Sequence, residues 1–79
     1  MSPDIERLCA VVAEALGVPR ERVTPASSSA NLEPWNSIGH LQILLGVETA
    51  FGARFQTEEM PGLNSIEVLA KRLGAPTTG

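Results

Sequence analysis

Hydrophobic residues recur at helical spacing in three stretches of the chain, and residues that start or stop helices bound each one. In the first, Ile5, Leu8, Cys9, Val12, Ala15 and Leu16 share one helical face. Ser2, Pro3 and Asp4 precede them as a capping side chain, a proline suited to the first helical position and a carboxylate at the positive dipole end, so the spacing predicts a helix over Pro3 to Leu16. Gly17 supplies the left-handed residue that ends it, Val18 folds back as its hydrophobic partner, and Pro19 blocks continuation. In the second stretch, Ile38, Leu41, Leu45 and Phe51 form the predicted core stripe, with Leu44 and Val47 broadening it. Asn36 stands where an N-cap belongs, Ser37 falls at the first helical position, and Gly52 is the expected breaker. Trp35, just before the cap, is expected to pack over the first turn near His40 or Leu41 and fix the angle at which the chain enters the helix. In the third stretch, Ile66, Leu69, Ala70 and Leu73 recur behind Asn64-Ser65-Ile66-Glu67, a capping-box pattern with Asn64 as the cap, and Gly74 and Pro76 end it.

The connections differ in kind. From Gly17 to Trp35 the chain is too long for an ordinary helix hairpin, where two to about eight residues suffice, so it must run along the helices. Val18, Val23, Ala30 and Leu32 are its expected inward anchors, Pro25, Ser27, Ser28, Ser29 and Pro34 mark turns, and a short helical turn fits Arg20 to Val23. After Gly52, residues Ala53 to Gln56 read as an extended link with Phe55 docked inward. Thr57 then caps a short third helix, with Glu58 and Glu59 in its first turn, Met60 as its apolar contact, and Pro61-Gly62 closing it. No internal repeat or second domain is visible; residues 1–79 form one domain whose ends, 1–2 and 75–79, are expected to fray.

Composition narrows the function. With 79 residues the chain has room for one modest core, and with three aromatic residues and no Tyr that core must be mostly Leu, Val and Ile. Net charge is −3 with no run of Lys or Arg, which leaves nucleic-acid binding without a source of affinity. One Cys excludes an internal disulfide and a multi-cysteine zinc site, so a reducing cytoplasm is the expected home; Cys9 lies on an apolar stripe and is expected to be a buried, inert thiol. No apolar run approaches the roughly 20 residues of a membrane span, and no leader pattern opens the chain.

The candidate chemistry gathers at Ser37, whose hydroxyl sits beside free N–H donors at the positive end of a helix, where an attached phosphate is electrostatically favoured. Asn36-Ser37-Ile38 at the start of that helix resembles the Asp-Ser-Leu signature of the acyl carrier proteins. The likeness continues through HLQILLGVETAFG and RFQTEEMPGLNSIEVLAKRL, and so covers nearly the whole chain. The resemblance implies an all-α, antiparallel four-helix bundle with three main helices, one short helix and a long first loop. It also implies that a phosphopantetheinyl transferase attaches the 4′-phosphopantetheine of coenzyme A to Ser37, and that the arm's thiol carries an acyl group as a thioester. A peptidyl or aminoacyl carrier is the related alternative. The carrier itself catalyses nothing. Its implied partners are the transferase, a loading ligase or acyltransferase, and synthases or condensing enzymes; it acts as a monomer in a dedicated polyketide, nonribosomal peptide or fatty-acid type pathway.

Residues expected at the docking face are Trp35, Asn36, Ile38, Gly39, His40, Gln42, Val47 and Glu48, with Val47 assigned either there or to the core. Asn36 is an equal cap to the family's Asp but removes a negative charge, and Gly39, Gln42 and Thr49 stand where acids are usual in the family. Partner choice is therefore expected to rest on shape and apolar contact more than on steering. Met60 and Phe55 are expected in the core, or lining a cleft for a short acyl chain. His40 is read as a surface histidine near the arm's phosphate. Two readings from other classes stand beside this one: an unmodified helical interaction module, and a hydrolase using Ser37 and His40, for which no orienting third group is visible.

Overall fold

Leu8, Cys9, Val12 and Ala13 are buried along one side of the first helix, α1 (Pro3–Leu16), in a computed structural model that describes residues 3–74. The expected capping role of Ser2, the fraying of the two ends and the stop at Pro76 lie outside the described residues. α1 closes as its sequence dictates: Gly17 adopts φ 71°, and the Val18 N–H donates to the Ala13 carbonyl at 3.0 Å. Two further α-helices follow, α2 (Ser37–Phe51) and α3 (Ile66–Gly74), and α1 packs against both. Among the described residues there is no strand, and the other regular pieces are 3₁₀ turns at Arg20–Arg22 and Met60–Gly62. α1 and α2 run antiparallel: Leu16 lies against Gly39 near the start of α2, Val11 against Gly46 midway, and the Arg7 guanidinium 4.7 Å from the Phe51 ring centre at its end.

α2 turns a different face inward from the one its stripe predicts. Ile43, Leu44 and Val47 are buried with Gly39, whereas Ile38, Leu41 and Leu45 are 71%, 54% and 56% exposed and Phe51 is half-buried. The reason is that α2 is apolar nearly all round, so its sequence sets no phase. Its neighbours do, through the small residues that let α1 approach. The ends of α2 follow local chemistry. Asn36, extended at φ −97° and ψ −167°, accepts from the Gly39 N–H at 2.9 Å through its side chain, and Gly52 at φ 65° ends the helix.

The long connection is anchored by buried Val23 and Leu32 and by half-buried Val18, but Ala30 is exposed, contrary to expectation. The backbone decides this. Ser29 N–H donates to the Asn64 carbonyl and Ile66 N–H to the Ser27 carbonyl, each at 3.0 Å, in a single antiparallel bridge between Ser28 and Ser65. Ser27 itself is buried, and its hydroxyl accepts from the Thr24 N–H at 2.9 Å. The same bridge corrects the start of α3. The cap is Ser65, whose hydroxyl accepts from the Val68 N–H at 3.1 Å, while Asn64 spends its carbonyl on the connection.

The short third helix does not form as an α-helix. Residues 57–59 are turns and only Met60–Gly62 is helical, in 3₁₀ form. Pro61 has no N–H to return to residue 57, and Gly62 follows at once, so no α-helical turn closes. Thr57 does not cap it either: the Met60 N–H goes to the Thr57 backbone carbonyl rather than its side chain, and the Gln56 N–H is taken by Glu59 Oε2 at 2.9 Å. Glu59 in turn pairs with Arg72 at 2.8 Å, and Arg72 covers the buried Phe55 ring at 5.4 Å.

Candidate functional site

Ser37 is exposed at the first position of α2, and its hydroxyl makes no hydrogen bond among the described residues. Asn36 uses its side chain on Gly39 N–H and its carbonyl on His40 N–H at 2.7 Å, which leaves the Ser37 and Ile38 N–H groups without an acceptor among the described residues. Those two donors, at the positive end of the helix, fit a phosphodiester on the serine.

Behind this exposed serine lies a rigid clasp. The buried Trp35 donates its indole N–H to His40 Nδ1 at 3.0 Å, the two rings lying 6.3 Å apart and 26° from parallel. Because Nδ1 accepts, the ring proton of a neutral His40 is on Nε2, which donates to the Met60 carbonyl at 2.7 Å. One side chain thus joins the end of the long connection, the first turn of α2 and the 3₁₀ turn at residue 60. The expected packing of Trp35 near His40 is present. The reading of His40 as a surface histidine is corrected: it is half-buried with both nitrogens engaged, and neither is free to take a proton from Ser37.

The expected docking face divides in two. Asn36, Ile38 and Gln42 are exposed. Trp35, Gly39 and Val47 are buried and present no surface, so Val47 belongs to the core, and Gly39 has Leu16 and the Pro34 carbonyl directly over it. Glu48 is half-buried and its carboxylate accepts from the Phe55 N–H at 2.8 Å, closing the link after α2 rather than facing outward. Sequence reasoning missed Leu41 and Leu45 as surface residues. The signal that finds them is the seven-residue spacing of Gly39 and Gly46, which puts both glycines on the face that meets α1 and leaves Ile38, Leu41 and Leu45 outside. Between the helices lies an open groove of about 520 Å³, with Val11, Ala15, Gln42, Leu45 and Gly46 in its lining.

The remaining chemistry is structural. Cys9 is fully buried, as expected, and burial pushes its thiol up; nearby Arg20 pulls the other way and Glu6 adds to the rise. Phe55 is buried and Met60 half-buried. Among the described residues no three His, Cys, Asp or Glu side chains are placed to hold a metal ion, and no helix is long and apolar enough to cross a membrane. No protein-family model matches the chain, and no curated protein matches it.

Proposed function

We propose that the chain is an acyl carrier protein, with Ser37 as the attachment point for 4′-phosphopantetheine and with cytoplasmic, monomeric action in a dedicated biosynthetic pathway. The observation that carries this reading is the Ser37 hydroxyl itself: exposed, unbonded, at the first position of a capped helix, on a turn held by the Trp35–His40–Met60 clasp. In this reading the three α-helices and the 57–62 turn are the family's four-helix arrangement, with the turn in the place of its short helix.

The residues divide the work. Ser37 Oγ forms a bond to phosphorus, the bond to the nucleotide half of coenzyme A breaks, and the hydroxyl proton passes to the transferase, since His40 is committed elsewhere. The free N–H groups of Ser37 and Ile38 hold the phosphodiester charge. When bound, the arm supplies a terminal thiol for an acyl or aminoacyl thioester. A loading ligase or acyltransferase and a condensing enzyme are then the further partners.

The test is intact mass before and after incubation with coenzyme A, Mg²⁺ and a broad-specificity phosphopantetheinyl transferase. The expected result is a gain of one phosphopantetheine unit that a Ser37→Ala variant does not show. An unchanged mass from folded protein, with several transferases, replaces this reading with that of an unmodified interaction module, for which the exposed Ile38, Leu41 and Leu45 speak.

A further inference from the structure

His40 is the one histidine of the chain and Trp35 its one tryptophan, and the bond between them tolerates a single protonation state. The indole offers a donor and no acceptor, so its N–H, at 3.0 Å, occupies the Nδ1 lone pair of a neutral ring. A proton on Nδ1 would set two N–H groups against each other. The Nε2–H bond to the Met60 carbonyl, at 2.7 Å, is compatible with either state. Protonation therefore breaks one joint of the clasp and spares the other. His40 is half-buried, within reach of solvent, whereas Trp35 is 2% exposed and its N–H has no second acceptor among the described residues.

We propose that His40 is a proton-gated positioning residue for Ser37: neutral, it holds Trp35 and the turn that presents the serine; protonated, it releases Trp35 and loosens that turn. The consequence for Ser37 rests on the carrier reading above, whereas the gate itself does not. Trp35 lies two residues before Ser37, and the backbone around it is tightly tied. The Trp35 N–H donates to the Leu32 carbonyl at 2.9 Å, the Pro34 carbonyl lies directly over Gly39, and Asn36 takes the Gly39 N–H with its side chain and the His40 N–H with its carbonyl. Release of the indole thus reaches the Asn36 cap and the first turn of α2. His40 itself stands at the end of that turn, where a positive charge opposes the helix dipole, so the charge acts in the same sense as the lost bond. No ion pair offsets it. The carboxylates on the elements around the ring are Glu33 in the connection, Glu58 and Glu59 in the 57–62 turn, Glu48 farther along α2 and Glu14 on α1, and none pairs with either nitrogen among the described residues. Glu59 is held by Arg72 of α3, Glu48 by the Phe55 N–H, and Arg20 of the connection donates to the Val23 carbonyl. Because the bond to Trp35 exists with the neutral ring alone, its contribution is complete at high pH and is lost as pH falls, the reverse of a histidine held by a carboxylate.

The experiment follows the unmodified protein from about pH 8 to about pH 5, the span in which histidine side chains change charge. The C2–H signal of the single histidine, read by NMR, gives its titration midpoint, while the indole N–H signal and the fluorescence of the single tryptophan report on the clasp. The expected result is a red-shifted emission and a displaced indole N–H signal that follow the histidine's own midpoint. His40→Gln, which keeps an acceptor but takes no proton, should show neither, and thermal melting establishes that it is folded. Initial rates of phosphopantetheine transfer from coenzyme A by a broad-specificity transferase are then compared for the two proteins at each pH, so that the transferase's own pH dependence cancels. One pH unit below the midpoint about one ring in ten remains neutral, so kcat/KM of the parent should fall by about threefold to tenfold relative to His40→Gln. A histidine that titrates with no change at Trp35, or one that stays neutral until the protein unfolds, overturns the gate. A gate that opens with an unchanged rate ratio overturns the positioning of Ser37 and leaves the carrier reading intact. A parent that is never modified at any pH overturns the carrier reading and the positioning role with it, while the spectra still decide whether the proton opens the clasp.

Discussion

Gly39 and Gly46 lie seven residues apart on α2 and both face α1, yet the two places where they meet it are built differently. At Gly39 a Cβ comes within 2.8 Å of Leu16 Cδ2 and closer still to the Pro34 carbonyl, whereas at Gly46 nothing approaches nearer than 3.6 Å. One glycine is required by the closeness of the chain around it; the other opens a groove. The contrast shows that a helix-interior glycine is understood from what a side chain there would meet, and that α2 has no room for a side chain at Gly39 but has room for one at Gly46.

The sharpest way to break this comparison is to give both positions the same methyl group. Gly39→Ala must push back the Pro34 carbonyl and Leu16 together, and overpacking of this kind costs about 2–3 kcal/mol, a drop of more than roughly 10 °C in Tm for a domain this small. Urea unfolding and thermal melting read it directly, and an unchanged midpoint would mean that the start of α2 can make room for a side chain as Gly46 can. Gly46→Ala carries the opposite sign, a gain of about 0.5–1 kcal/mol from removing glycine's backbone freedom.

Between these in size comes the clasp that makes the Ser37 end tight. His40→Leu keeps most of the ring's bulk but leaves the Trp35 indole N–H and the Met60 carbonyl without their partner. A buried donor stripped of its acceptor costs about 1–3 kcal/mol, so about 2 kcal/mol is the expected loss. The chain has one tryptophan, so its fluorescence reports on Trp35 alone. A red shift is expected as the indole loosens; an unaltered spectrum with unaltered stability would show that packing, not the hydrogen bond, holds the turn.

How much of this was legible follows the range of the interactions. The end of α1 and the start of α2 depend on residues within one turn, Gly17 and Asn36, and were readable in full. So was the placing of Ser37 at the first helical position and of Trp35 against His40. The inward face of α2 was not readable from its own hydrophobic pattern, because a helix apolar on every side takes its phase from its neighbours. The α3 cap was missed by one residue because Asn64 and Ser65 are both capping types, and the bridge from Ser28 and Ser29, over thirty positions earlier, selects between them. Met60 as the second partner of His40, and Glu48 as the acceptor for Phe55 N–H, belong to the same class of long-range choice.

The smallest effect tests whether charge contributes to holding the 57–62 turn, whose Met60 carbonyl already meets His40, against α3. Arg72 donates to both oxygens of Glu59, at 2.8 and 3.2 Å, and also to the Arg54 carbonyl at 2.9 Å, tying the 57–62 turn to α3. The Arg72 guanidinium first, and the Gln56 N–H second, hold the Glu59 carboxyl below the ordinary carboxylate range. A folded-state value lower than the unfolded one means that the unfolded chain binds the proton more readily, so the pair's contribution is present at neutral pH and is lost as pH falls through the depressed value. Because the pair is half-exposed, salt screens it and its contribution is small. Glu59→Gln should therefore lower the melting temperature slightly at pH 7, flatten the acid limb below about pH 4, and differ less from the parent in high salt. Parallel curves, with the same offset at pH 3 and pH 7, would show that Glu59 acts through the Gln56 hydrogen bond and packing against Arg72, and that its charge adds nothing to the hold on the 57–62 turn.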